Sequence, residues 1–219
     1  MAYNDFTLQK LKKDFGLQVD EQRNLFAAVE SVAGSDLLNH TLQETMQLAI
    51  AINTEKARSE MIITPVLLEM RRQANGQVSL FSGTEFNVND EKGLVGYCDY
   101  ILNRSKEQLT INAPVILINE AKNENIKAGL GQCIAGMIAA QQFNRREGLA
   151  IEVIYGAVTT GEIWKFLKLL GTTVSIDLTD YYISPNLNKI LGILIHGLGL
   201  PVPVLEPLLF TDISCNYGY

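Results

Sequence analysis

Val115-Ile116-Leu117-Ile118 constrains this chain more than any other stretch, because an unbroken apolar run drives toward a strand buried within a sheet. The run ends in Glu120-Ala121-Lys122, a carboxylate and an ammonium two residues apart. Side chains alternate along a strand, so Glu120 and Lys122 project from one face and Ala121 from the other. A core strand that finishes on an acid and a base pointing the same way needs a reason.

The surrounding sequence sets the frame. From Gly76 onward the texture is β-branched and aromatic, and strands are expected over Val78–Ser82, Leu94–Leu102, Val115–Lys122, Ile151–Thr159, Ile163–Leu169 and Val174–Leu178. A helix is expected from Ile126 to Arg146, with Ala135, Ala139 and Phe143 at helical spacing so that it lies close on the sheet. Before Gly76 the chain reads as helical. Ser35 or Asp36 caps a helix through Leu37, Leu38, Leu42, Met46 and Ile50, and a second runs from Glu55 toward Arg72, kinked or bounded at Pro65. A last helix follows Pro185. The expected whole is a single domain: a mainly helical part over 1–75, an α/β core over 76–185, and a C-terminal helix and tail over 186–219. The fold class is α/β, a mixed β-sheet flanked by helices with an N-terminal helical segment.

Composition removes several functions. With 219 residues, 47% hydrophobic and 19% charged, the chain can build one full core and is not a disordered protein. A net charge of −6 argues against a general basic coat for nucleic acid, yet leaves room for a metal ion that supplies the positive charge. Cys98, Cys133 and Cys215 form no C-x-x-C pair, which removes a zinc knuckle and a disulfide framework. MAYNDFTLQKLKKDF lacks an apolar signal core, and Ile190–Leu205 is too broken by glycine and proline to span a membrane. A reducing cytoplasm is the expected compartment. Gly129-Leu130-Gly131 follows a strand, but the third glycine of a dinucleotide loop would fall at Ile134, and no Gly-Lys dipeptide marks a P-loop. His40 and His196 sit among leucines, and no serine or cysteine triad is in view. Trp164, Phe166, Tyr181 and Tyr182 are expected in core and edge packing rather than as a platform for bases.

The strand GLVGYCDYIL carries one charge amid apolar residues, Asp99. A hairpin between Leu102 and Val115 would bring it beside Glu120. Two ionised carboxylates about 4 Å apart repel by roughly 4 kcal/mol at an effective dielectric of 20. Lys122 offsets part of this, and a divalent cation offsets more. Mg²⁺ or Mn²⁺ takes oxygen ligands, keeps several waters and needs only one or two protein carboxylates. A lysine beside a metal-bound water can steer or deprotonate it for attack on phosphorus. Alone, Glu-x-Lys is most often a solvated ion pair worth at most about 1 kcal/mol; the isolated Asp99 shifts the reading toward a site. Glu60 aligns with Ile63, Leu67 and Met70 on the inward stripe of its helix, where a carboxylate needs a partner. Pairing with Lys56 at the helix edge is its alternative.

Gly96-Tyr97-Cys98-Asp99, then Glu120-Ala121-Lys122, then Gln132 in the following helix resemble the G-x-x-D, E-x-K and downstream Gln motifs of the PD-(D/E)xK nuclease superfamily. The resemblance spans residues 55 to 185 in element order and implies the restriction-endonuclease-like fold. It implies that Asp99 and Glu120 are metal ligands, with the backbone carbonyl of Ala121 a third and Lys122 the catalytic lysine. Gln132 would reach the site from the start of its helix, and Glu60 would be the acidic residue contributed ahead of the sheet. Cys98 stands where the family pattern has proline, and Gly136 where an aromatic often follows the glutamine. The implied activity is that of a stand-alone, endonuclease-like hydrolase using Mg²⁺ or Mn²⁺, with DNA favoured over RNA. Lys127, one turn before Gln132, is the candidate phosphate contact. The other reading is a non-catalytic nuclease-fold module for protein or nucleic-acid interaction. The intact charged set favours catalysis, since a decaying site sheds costly unpaired charges first. The apolar tail LGLPVPVLEPLLF is a candidate homodimer contact or strand cover.

Overall fold

The structure, a computed structural model, describes residues 2–122 and 124–199. Helix α1 (Leu8–Phe15) starts at Thr7, whose hydroxyl accepts the Lys10 N–H, and leads into a short strand, β1 (Gln18–Asp20). Ser35 caps α2 (Asp36–Ile52) by accepting the Leu38 N–H, as its place ahead of an apolar stripe predicts. Thr54 caps the next helix in the same way, but that helix is not regular. After α3 (Glu55–Arg58) the backbone widens into a π-helical turn over Ser59–Ile63, and α4 (Thr64–Gln73) follows with Pro65 in its first turn. Proline brings no N–H and crowds the turn before it; the widened turn takes up that misfit.

Strands β2 (Ser79–Glu85), β3 (Tyr97–Asn103) and β4 (Val115–Ala121) run antiparallel in turn, so the expected hairpin between Leu102 and Val115 is present. Helix α5 (Ile126–Arg146) then crosses to β5 (Val153–Thr159), which lies parallel to β4. A parallel pair requires such a crossover. Strands β6 (Ile163–Leu170), β7 (Thr173–Ile176) and β8 (Tyr181–Tyr182) follow, and α6 (Ile183–Gly197) begins with a kink at Ser184 and Asn186 beside Pro185. Among the described residues the strands form one mixed eight-stranded sheet in the order β1-β7-β6-β5-β4-β3-β2, with β8 beside β6. The N-terminal part, expected to be mainly helical, therefore also supplies an edge strand, parallel to β7. Three residues are too few to show a period of two.

The sheet separates two cores. On one side Ile134, Met137 and Ala139 of α5 pack on Ile118, Ile154 and Val158 together with Phe6 and Leu11. On the other, Leu38, Leu67, Met70 and Leu194 from α2, α4 and α6 pack on Leu102, Leu117 and Phe166. Strand β4 lies inside the sheet, so both of its faces are covered and all seven residues are buried. Leu67 and Ile118, at 0% and 1% exposure, each contribute about 1.5–3 kcal/mol by leaving water. No helix among the described residues is long and apolar enough to cross a membrane. The C-terminal apolar tail and Cys215 fall outside the described residues, while Cys98 and Cys133 are free and buried.

Candidate functional site

Pairing between β3 and β4 stops at Tyr100 and Asn119. Beyond that point β3 continues against β2, where the register sets Gly83, at φ +58°, across from Asp99. Asp99 fills the opening between the strands: its Oδ2 accepts the backbone N–H of Ala121 at 2.8 Å. The side chain takes the place of a strand carbonyl and satisfies a donor that would otherwise be left unpaired at the end of β4.

Glu120 is 1% exposed and faces α5. Its Oε1 accepts from the Lys122 ammonium at 2.6 Å, the outcome of placing acid and base on one face of the strand. Gly129 lets the first turn of α5 settle over this pair. A Cβ there would stand 2.6 Å from Val158 Cγ1 and 3.2 Å from Lys122 Cγ, so a larger residue would push the helix off the site. Gln132, one turn further on, lines the same cleft of about 300 Å³ as Asp99, Glu120 and Lys122. Four of the residues singled out in the sequence therefore meet in one place, and Ala121 joins them through its N–H.

Glu60 does not reach the cleft. It is exposed, with 57% of its side chain in solvent, and accepts from Lys56 at 2.5 Å, which is the edge pairing the sequence left as its alternative. A π-helical turn holds more residues than an α-helical one, so Glu60 loses phase with Ile63, Leu67 and Met70, which are buried as expected. The acid that faces the cleft from this helix is Glu55, with Oε2 3.9 Å from Lys122 Nζ. An acid in the first turn of a capped helix reads as a partner of the helix dipole, which conceals that it also faces the cleft. Lys127 is exposed on the first turn of α5 and is not part of the cleft wall.

Ala2, Tyr3 and Asn4 form a wall that the sequence did not announce. Tyr3 is buried; its N–H donates to the Val95 carbonyl at 3.0 Å and its hydroxyl to the Phe86 carbonyl at 2.6 Å. Gly131 brings α5 against this segment, since a Cβ there would lie 2.1 Å from the Phe6 carbonyl oxygen. A single 3-10 turn over Tyr3–Asp5 carries no periodicity to read. Tyr97 lines the cleft as well.

The charges in the cleft are unequal: Glu55, Asp99 and Glu120 face one cation, Lys122. Burial, then the neighbouring Asp99, push the Glu120 carboxyl up to about 9, against the opposing pull of Lys122. Burial likewise raises Glu55 above the ordinary carboxylate range. Burial pulls the Lys122 ammonium down, but Glu120, Glu55 and Asp99 together outweigh it and hold the amine above its ordinary value. Burial pushes the Cys98 thiol up, so it is a neutral core side chain and no nucleophile.

This donor set fits a hard divalent cation. Among the described residues no three His, Cys, Asp or Glu side chains form a ready-made cluster, but Mg²⁺ keeps several of its waters and takes only one or two carboxylates. Asp99 and Glu120 are oxygen donors short of positive charge, which suits Mg²⁺ or Mn²⁺ better than a softer ion. The chain matches no protein-family model, no curated protein and no solved structure.

Proposed function

We propose that this protein is a metal-dependent nuclease of the restriction-endonuclease-like type, hydrolysing phosphodiester bonds in DNA. The observation that carries the reading is the buried Glu120 carboxyl group, paired with Lys122 at 2.6 Å and sharing its cleft with the half-buried Asp99. Burying Glu120 costs free energy that its ion pair with Lys122 offsets only in part. The resemblance of Gly96 to Asp99, Glu120 to Lys122 and Gln132 to the superfamily motifs supports the same reading, and the choice of DNA rests on that resemblance.

Bound Mg²⁺ or Mn²⁺ would supply a Lewis acid that polarises a water and stabilises charge on the phosphate oxygens. Asp99 and Glu120 would hold it, with Glu55 the nearest further carboxylate. Lys122 is fixed by Glu120, so its ammonium points into the cleft at a defined place. Because its neighbours raise its pKa, Lys122 acts as a cation that orients the attacking water and faces the developing negative charge, and not as a free base. Gln132 adds an uncharged donor and acceptor from α5. The net charge of −6 makes tight general binding to DNA unfavourable, so affinity comes from the cation and the cleft.

Thermal melts with and without millimolar Mn²⁺, followed by a cleavage screen on labelled DNA, test the reading. Wild type is expected to gain stability from Mn²⁺ and Glu120→Gln is not. A wild type that gains no stability from Mn²⁺ and cuts no DNA contradicts it.

A further inference from the structure

Tyr97 lines the cleft with 65% of its surface in solvent, the most exposed aromatic ring among the described residues. Phe86 packs edge-on against Phe143, Phe6 lies tilted against Phe15, and the Tyr3 hydroxyl donates to the Phe86 carbonyl. The Tyr97 ring shares the cleft with Asp99 and Glu120 and is open to whatever enters.

The cleft limits what that can be. Its volume of about 300 Å³ is at the lower end of pockets that hold small molecules, with room for one nucleotide unit. The N-terminal wall is fixed by the Tyr3 hydrogen bonds and by Gly96, at φ +123°, where a Cβ would lie 3.5 Å from the Tyr3 ring. A duplex brings twice the phosphate charge of a single strand per unit length, and the lining offers only Lys122 against three carboxylates. A single strand can lay one phosphate at the acid pair and one base on a ring.

We propose that the cleft takes single-stranded DNA one nucleotide at a time, with Tyr97 as the platform on which the base beside the scissile phosphate stacks. This deepens the nuclease reading and rests on it. Stacking on an aromatic face tolerates any base, so the cleavage would follow strandedness more than sequence.

The test compares full-length wild type, Tyr97→Ala and Tyr97→Phe on a fluorescein-labelled oligothymidylate and on the matching duplex. Binding is read by anisotropy in Ca²⁺ and turnover in Mn²⁺. Wild type is expected to bind and cut the single strand in preference to the duplex. Tyr97→Ala should raise KM for the single strand roughly 10-fold with little change in kcat, while Tyr97→Phe stays near wild type. An unchanged KM in Tyr97→Ala, or a duplex cut in preference to the single strand by wild type, overturns the proposal and leaves the nuclease reading standing. A wild type inert on every substrate overturns both.

Discussion

Asp99 Oδ2 accepts the N–H of Ala121 at 2.8 Å, so the aspartate proposed as a cation ligand also ties off the end of β4. The two roles separate by substitution. Asp99→Asn keeps an oxygen acceptor for Ala121 and should unfold near the wild-type denaturant midpoint. Asp99→Ala leaves a mostly buried donor unpaired and should lose about 1–3 kcal/mol. Both should lose metal-dependent cleavage. Equal stability of the two variants would mean the hydrogen bond contributes nothing.

Glu120 makes stability depend on pH. Its folded pKa, about 9, lies above its ordinary 4.5, so between those values the folded protein holds a proton that the unfolded chain releases. Its contribution is fully present below pH 4.5 and is lost as pH rises to about 9. Denaturation in EDTA across that window should show stability falling. Glu120→Gln, a fixed mimic of the protonated acid, should flatten the fall, and an unchanged slope would place the proton elsewhere.

Glu55 and Glu60 should behave oppositely. Glu60→Gln removes an exposed pair with Lys56 and should alter neither metal affinity nor cleavage, with a stability change of at most about 0.5 kcal/mol. Glu55→Gln removes a carboxylate that faces the cleft and should weaken Mn²⁺ binding in a calorimetric titration. A metal site disturbed by Glu60→Gln alone would restore the inward glutamate that the stripe suggested.

Gly131→Ala places a Cβ 2.1 Å from the Phe6 carbonyl oxygen. Backbone on both sides leaves no flexible atom to yield, and overpacking of this kind costs about 1–3 kcal/mol. The N-terminal wall should detach first, seen as faster proteolysis ahead of α1. A variant with wild-type stability and protection would show that α5 can move away from Phe6 freely.

What the sequence could and could not reveal follows from the length of each signal. Helix α5 was legible over Ile126–Arg146 because Ala135, Ala139 and Phe143 recur at helical spacing along it, and its Asn125 cap emerged only in the structure. The meeting of Asp99, Glu120 and Lys122 was legible because a strand's alternation and one hairpin suffice to bring them together. Glu60 was misplaced because a π-helical turn shifts the helical phase without changing residue types. The wall of Ala2 to Asn4 and strand β1 were invisible because each rests on three residues held by contacts distant in sequence, Val95 and Phe86 for one and β7 for the other. Tyr97 stood inside the quoted motif, but its exposure depends on how β3 leaves β4, which no local pattern encodes.

Cleavage of labelled DNA by wild type and Lys122→Met, side by side in Mn²⁺, tests the central claim most directly. Methionine keeps much of the lysine stem and removes the charge. The expected result is that wild type cuts while the variant loses a factor on the order of 10²–10⁴ in rate, yet still gains thermal stability from Mn²⁺. Equal cleavage by the two proteins, or none by wild type on single- or double-stranded DNA, would contradict the account.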